Sequence, residues 1–256
     1  MTRYRATLAY DGAAYQGFQR QAAGTPTIQA CLEQALAVLA EGKTVRVIGA
    51  GRTDTGVHAS GQVIAFDLDW HHGVQALRSA LNANLPPDVA IVAVQETHDG
   101  FHPRYDAVSR TYAYRITVAA VRDPLRRLRA WHQPGPLVVD AMQHAAHTLL
   151  GTHDFSAFGT PPKGDNSVRT VYSAHWDVAE GGLRFTIQAD AFLYRMVRRI
   201  VGTLVLVGQG RMTVEEFRQI LASRDPARAA APAPPQGLVL VAVHYEDDDP
   251  ESRLER

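Results

Sequence analysis

The amino-acid sequence predicts an α+β fold: two ferredoxin-like (βαββαβ) halves side by side, forming an extended antiparallel or mixed sheet with helices on one face and a central cleft. Two observations predict it. Apolar residues switch between strand and helix periods in the order strand, helix, strand, strand, helix, strand, and that order returns in the second half of the chain. The length, 256 residues, is enough for two such cores.

Each element has its own signal. Residues 2–10 alternate Tyr4, Ala6 and Leu8 against Arg5, Thr7 and Ala9, the pattern of a strand with one buried face. Thr25-Pro26 reads as the start of a helix, threonine capping and proline at the first helical position. Ile28, Cys31, Leu32, Ala35, Leu36 and Leu39 form its apolar stripe, and Gly42 lies just past its end. Strands are expected over 44–50 and 62–68, on either side of the glycine-rich turn Gly49-Ala-Gly-Arg-Thr-Asp-Thr-Gly56. A helix over 73–84, with Val74, Leu77 and Leu81 in step, stops before Pro86-Pro87, and 89–95 is an apolar strand. The second half repeats the plan with a strand over 110–118, a helix over 138–150 closed by Gly151, and a hairpin of 173–178 and 183–189 around Glu180-Gly-Gly182. A helix over 192–207, a short one over 214–221 and a strand over 238–244 complete it. The Pro/Ala-rich stretch 226–235 reads as a linker. The expected domains are 1–105, carrying the glycine-rich turn, and 106–246, followed by an acidic tail over 247–256.

Composition narrows the class. Apolar residues at 46% and charged residues at 20% are ordinary for a soluble globular protein. One cysteine, Cys31, leaves no internal disulfide and no cysteine metal cluster, and its helical neighbours mark it as a buried, inert thiol. The N-terminus has no apolar signal region, and the longest apolar run, 200–207, is too short to span a bilayer, so a cytoplasmic protein without a membrane partner is expected.

Lys plus Arg number 26 and so do Asp plus Glu, a zero net charge that hides an uneven distribution. Between Phe101 and Trp131 seven arginines face two aspartates, and between Tyr194 and Arg211 four arginines face no acid. The segment from Glu246 onward carries six acids and masks these stripes in the total. Local stripes are what phosphate binding needs, because attraction decays over a Debye length of roughly 8 Å. Tyr105, Tyr112 and Tyr114 lie among the arginines. Tyr112 and Tyr114 share one strand face, where rings either stack on nucleotide bases or pack in the core.

The sharpest chemical feature is the turn itself. Its glycines admit backbone conformations barred to other residues, and Arg52 and Asp54, two apart, put a cation beside a carboxylate. A neighbouring arginine keeps an aspartate ionised, as a nucleophile or base requires. The same aspartate in such a loop also serves simply to cap its own turn. Spacing excludes other readings. Gly49-x-Gly51-x-x-Asp54 lacks the last glycine of a dinucleotide fingerprint, and Gly56 is followed by Val57-His58 where a P-loop has Lys-Ser/Thr. Asp54-Thr55-Gly56 matches the aspartic-protease tripeptide, but occurs once where two aspartates are needed. His144 and His147 sit on an ordinary amphipathic pattern, so no metal is called for.

Taken in order, eight segments resemble the bacterial tRNA pseudouridine synthase A (TruA) family, almost end to end. They begin with Tyr10-Asp-Gly-x-x-Tyr15-x-Gly-Phe-Gln-Arg-Gln21 and the loop Gly51-Arg-Thr-Asp-Thr-Gly-Val-His-Ala59 with Gln62-Val. Next come Leu81-Asn-x-x-Leu-Pro86, Phe101-His-x-Arg104 and Ser109-Arg-Thr-Tyr112-x-Tyr. Gly151-x-His-Asp-Phe155, Phe192-Leu-x-x-Met-Val-Arg198 and Gly237-Leu-x-Leu240 complete the series. Phe18 stands where tryptophan is more usual and Thr55 where alanine is common. The resemblance implies a catalytic Asp54, with Arg52 acting on the substrate, Tyr112 stacking on an extruded base and Arg198 pairing with Asp54 across the cleft. It further implies uridines 38, 39 and 40 of the tRNA anticodon stem-loop as targets, a homodimer, and no cofactor.

Overall fold

The computed structural model describes residues 1–162, 164–179 and 181–246; the tail over 247–256 lies outside them. In chain order the elements are β1 (Thr2–Tyr10), α1 (Ile28–Leu39), β2 (Ile48–Gly49), β3 (His58–Leu68), α2 (Gly73–Asn84) and β4 (Val89–Glu96). There follow β5 (Ala107–Val118), β6 (Trp131–Gln133), α3 (Val139–His147), β7 (Gly151–Asp154), β8 (Val168–Ala179) and β9 (Gly182–Ala189). Last come α4 (Met196–Gly208), α5 (Val214–Ser223) and β10 (Leu238–Tyr245). The result is a mixed α+β architecture. The chain divides into two compact units, Met1–Val108 with the segment from Leu240, and Ser109–Val239. The expected boundary after 105 falls three residues early, and the last strand, expected in the second half, clusters with the first.

In the first unit β1 runs antiparallel to both β3 and β4, and β2 and β10 lie along β3. Tyr4, Ala6, Leu8 and Tyr10 are all buried, as strand alternation requires. α1 buries Ile28, Leu32, Ala35 and Leu36, whereas α2 buries only Leu77 and Leu81. Asn82 of α2 compensates with its amide, donating to the carbonyl of Ile91 at 2.9 Å and accepting from its N–H at 2.7 Å. β4 ends the strand order, so the side chain takes the place that a further strand would have beside Ile91.

Two expectations here are corrected. The cap of α1 is Thr27 and not Thr25, because the carbonyl of Pro26 accepts from Gln16 N and holds that residue outside the helix, while the Thr27 hydroxyl reaches Ala30 N. The strand expected over 44–50 shrinks to two residues. Val45 and Val47 are buried as predicted, but the backbone of Val47 is satisfied by side chains, its N–H by Glu33 and its carbonyl by Gln29. Cys31 is half-buried beside Tyr15, and burial pushes its thiol above the usual range, which disfavours the reactive thiolate.

In the second unit β5, β9, β8 and β7 are antiparallel neighbours, with β6 parallel to β5. α3 packs on β8, α4 and α5, and its Gln143 repeats the amide clamp, accepting from Trp176 N at 2.7 Å. α5 starts with a full capping box, Thr213 and Glu216 satisfying each other's backbone N–H. α4 is buried on nearly every side, from Met196 to Gly208. It begins four residues later than its apolar pattern suggested. Tyr194 N is bonded to the carbonyl of Thr160, and Arg195 takes a left-handed φ of 62°, so 192–195 cannot join the helix.

The stretch 226–235 is not a loose linker. Ala233 N donates to the carbonyl of Arg198 at 2.9 Å, Ala230 N to the Thr203 hydroxyl at 3.1 Å, and the Tyr114 hydroxyl to the carbonyl of Pro234 at 2.7 Å. It is a strap docked on α4, which Gly202 allows by leaving room for the carbonyl of Ala231.

Candidate active site

The loop carrying Arg52 and Asp54 is held from below by the segment that follows β1. Phe18 N donates to the carbonyl of Thr53 at 3.1 Å and Gly56 N to the carbonyl of Tyr15 at 3.3 Å. Gly17 makes this approach feasible: it has φ +90°, and a Cβ there would come within 2.7 Å of the Thr53 carbonyl oxygen. Below the loop, the buried hydroxyls of Tyr10 and Thr53 are 2.8 Å apart, and Gln62 donates to the carbonyl of Gly51 at 2.9 Å. At its exit, buried His58 has Nδ1 2.9 Å from Asp11 Oδ1 and 3.1 Å from Gly12 N, so either tautomer ties the loop to the turn after β1.

Within the loop Val57 N closes a turn onto the carbonyl of Asp54, and Gly56 supplies the left-handed residue at φ 76°. The turn is thus made by backbone. Asp54 is half-buried there. Arg52 is exposed, with Nε donating to Gln19 Oε1 at 3.1 Å.

The other two predicted residues lie in the second unit. Tyr112 is half-buried on β5, opposite Ile187 of β9, with its ring edge-on to Phe192 at 5.0 Å. Tyr114, on the same strand face, is fully buried and its hydroxyl is occupied by Pro234, so it is the core tyrosine of the pair. Arg198 sits in the first turn of α4, its Nε donating to the carbonyl of Ala233 at 2.7 Å. Of the four residues the structure groups Arg52 with Asp54 on one loop, and sets Tyr112 and Arg198 on elements of the other unit. Among the described residues, no group of three or more His, Cys, Asp or Glu could hold a metal ion, and no helix is long and apolar enough to cross a membrane.

Sequence reasoning missed Gln29 and Glu33, which are buried on α1 and tie the loop's support together. The signal was present: two polar residues four apart, each next to an apolar position of the stripe, and each needing a buried partner.

A family profile described as tRNA pseudouridine synthase matches residues 6–106 and 145–246. The chain belongs to the tRNA pseudouridine synthase family. The synthase is 40% identical over 252 residues to "tRNA pseudouridine synthase A" of Streptococcus agalactiae (serotype V), covering 97% of each chain. It is 42% identical over 250 residues to the protein of the same name from Streptococcus pneumoniae (strain Hungary19A-6), covering 96% of this chain and 100% of the relative. Membership makes the synthase an isomerase acting on uridine in tRNA. The matched residues include Asp54, Arg52, Tyr10, Gly17 and the whole strap.

Proposed function

We propose that this synthase converts uridine to pseudouridine at positions 38, 39 and 40 of the anticodon stem-loop, with Asp54 as the catalytic carboxylate. Arg52 acts on the substrate beside it, Arg198 pairs with Asp54, and Tyr112 stacks on the flipped base. The enzyme works as a cytoplasmic homodimer without a cofactor.

One observation carries the assignment to Asp54. A half-buried carboxylate stands on a loop whose turn is closed by backbone and whose position is fixed by Gly17, Thr53 and Gly56, so the side chain is presented by a rigid support. The reaction breaks the C1′–N1 bond, turns the uracil and joins C5 to C1′; the hydrogen on C5 is lost and N1 gains one. No electrons are transferred to an outside group. The target atom is stacked inside RNA, so the nucleotide must be extruded at a cost of a few kcal/mol. Stacking on an aromatic ring offsets roughly 1–3 kcal/mol of that, and Tyr112, half-buried beside Phe192, is suited to it. Exposed Arg104, Arg122, Arg127 and Arg129 supply cations for phosphates. The ferredoxin-like reading of the first half is supported by its strand order β4-β1-β3-β2.

Asp54→Asn should abolish tritium release from tRNA labelled at uracil C5 while leaving tRNA binding intact. Normal release by that variant would overturn the assignment, and unchanged nucleoside content after incubation of unmodified anticodon stem-loop with the native enzyme would overturn the activity at these positions.

A further inference from the structure

A line of side-chain hydrogen bonds runs from the buried face of α1 out to Arg52. Glu33, 9% exposed, accepts from Gln29 Nε2 at 3.0 Å and from Val47 N at 3.3 Å through one oxygen, and from Arg20 Nη1 at 2.6 Å through the other. Gln29, 8% exposed, also donates to the carbonyl of Val47 at 3.0 Å, and its Oε1 accepts from Arg20 N at 2.8 Å and from Gln19 Nε2 at 2.7 Å. Gln19 Oε1 then accepts from Arg52 Nε at 3.1 Å.

The direction of this line is forced. A carboxylate and a carbonyl can only accept, so the Gln29 amide must turn its nitrogen toward Glu33 and Val47. Its oxygen then faces Arg20 N, which can only donate, and it requires a donor from Gln19 as well. Gln19 is left with its oxygen outward, the one atom able to receive a guanidinium N–H. Two polar side chains buried on an apolar helix stripe are costly unless every group is satisfied, and here they are. Gln19 itself is exposed, and its share in the buried network is the one bond to the Gln29 oxygen, which Arg20 N also serves.

We infer that Gln19 is a positioning residue for the isomerisation, holding the Arg52 guanidinium in the orientation that Glu33 and Gln29 dictate. The inference rests on the substrate role proposed above for Arg52. If Gln19 merely stapled its own segment to α1, its removal would affect stability and not turnover.

Four proteins decide the matter by steady-state tritium release and thermal melting: the native enzyme, Gln19→Ala, Arg52→Lys, and the double variant. Loss of an acceptor for an exposed charged donor should lower kcat by about fivefold to tenfold in Gln19→Ala. KM for tRNA should stay within about twofold, and the melting temperature should fall only slightly, because Arg20 N still donates to the Gln29 oxygen when Gln19 is removed. Arg52→Lys should lose more, and the double variant should be no slower than Arg52→Lys alone, because the group that Gln19 orients is already gone. Turnover of Gln19→Ala equal to native, or losses that multiply in the double variant while Arg52→Lys is impaired, would overturn the positioning role alone. Native turnover in Arg52→Lys would overturn the substrate role of Arg52, and the inference with it.

Discussion

Gly17→Ala is the sharpest probe of how the loop is held. The residue has φ +90°, which costs an alanine roughly 1–2 kcal/mol. Its Cβ would also stand 2.7 Å from the Thr53 carbonyl oxygen and 3.3 Å from the Asp54 carbonyl carbon and Thr55 N. All three are backbone atoms of the loop and cannot swing aside as a side chain would. Relief of the closest contact calls for a shift of about 0.7 Å at Thr53, close to the 1 Å misplacement of a catalytic group that costs on the order of a hundredfold in rate. Expected are a drop in kcat of about tenfold to a hundredfold and a fall in melting temperature of several degrees, at about 2–4 °C per kcal/mol for a protein near this size. Gly24→Ala is the control: its φ is +86°, but nothing lies within 4 Å of the added carbon. It should show the backbone strain in the melt and native turnover in the tritium assay. If Gly17→Ala turns over as fast as Gly24→Ala, the opening segment does not position Asp54 and the reasoning fails.

Two further outcomes are expected. Tyr112→Phe should retain most activity and Tyr112→Leu should lose about fivefold to a hundredfold, since a ring worth roughly 1–3 kcal/mol is kept in one and lost in the other; equal losses in the tritium assay would point to the hydroxyl instead. Asp154 accepts from Ser167, which holds its carboxyl below the usual range, with Ser156 and Arg224 adding to the effect. A carboxyl depressed by folding stabilises the protein above its unfolded value of 3.8 and ceases to as pH falls through the lower folded value. Asp154→Asn should therefore melt below the native enzyme at pH 7, with the gap closing below about pH 4; a gap independent of pH would refute it.

Much of the architecture was legible because periodic burial was strong. Strand 2–10 and helix 73–84 fall where alternation and helical spacing put them. The misses share one physical cause: backbone groups were satisfied by partners remote in sequence. Val47 looks like strand and has strand burial, but Glu33 and Gln29 take its hydrogen bonds. Residues 192–195 continue the apolar pattern of α4, but Thr160 claims Tyr194 and Arg195 turns left-handed. The strap reads as linker because alanine and proline advertise no contacts, yet its backbone docks on Arg198 and Thr203. Of the site, the loop's identity was in the local pattern of glycines around Arg52 and Asp54. Its support through Gly17 and Gln19 was not, since both depend on a segment more than thirty residues away.

The first unit is interrupted: its chain departs after Val108 and resumes at Leu240. During synthesis β3 therefore waits for β10 while the whole intervening unit is made, on the order of ten seconds at ordinary translation rates. Over that interval the part of β3 that β2 does not cover keeps unpaired amides and carbonyls on one flank, a template for pairing with a neighbouring nascent chain. Gly61, which lies against the carbonyl of Val241, marks where the late strand seals that flank. Release of a chain stopped short of residue 240 would leave the loop that carries Asp54 on a sheet still open at its edge.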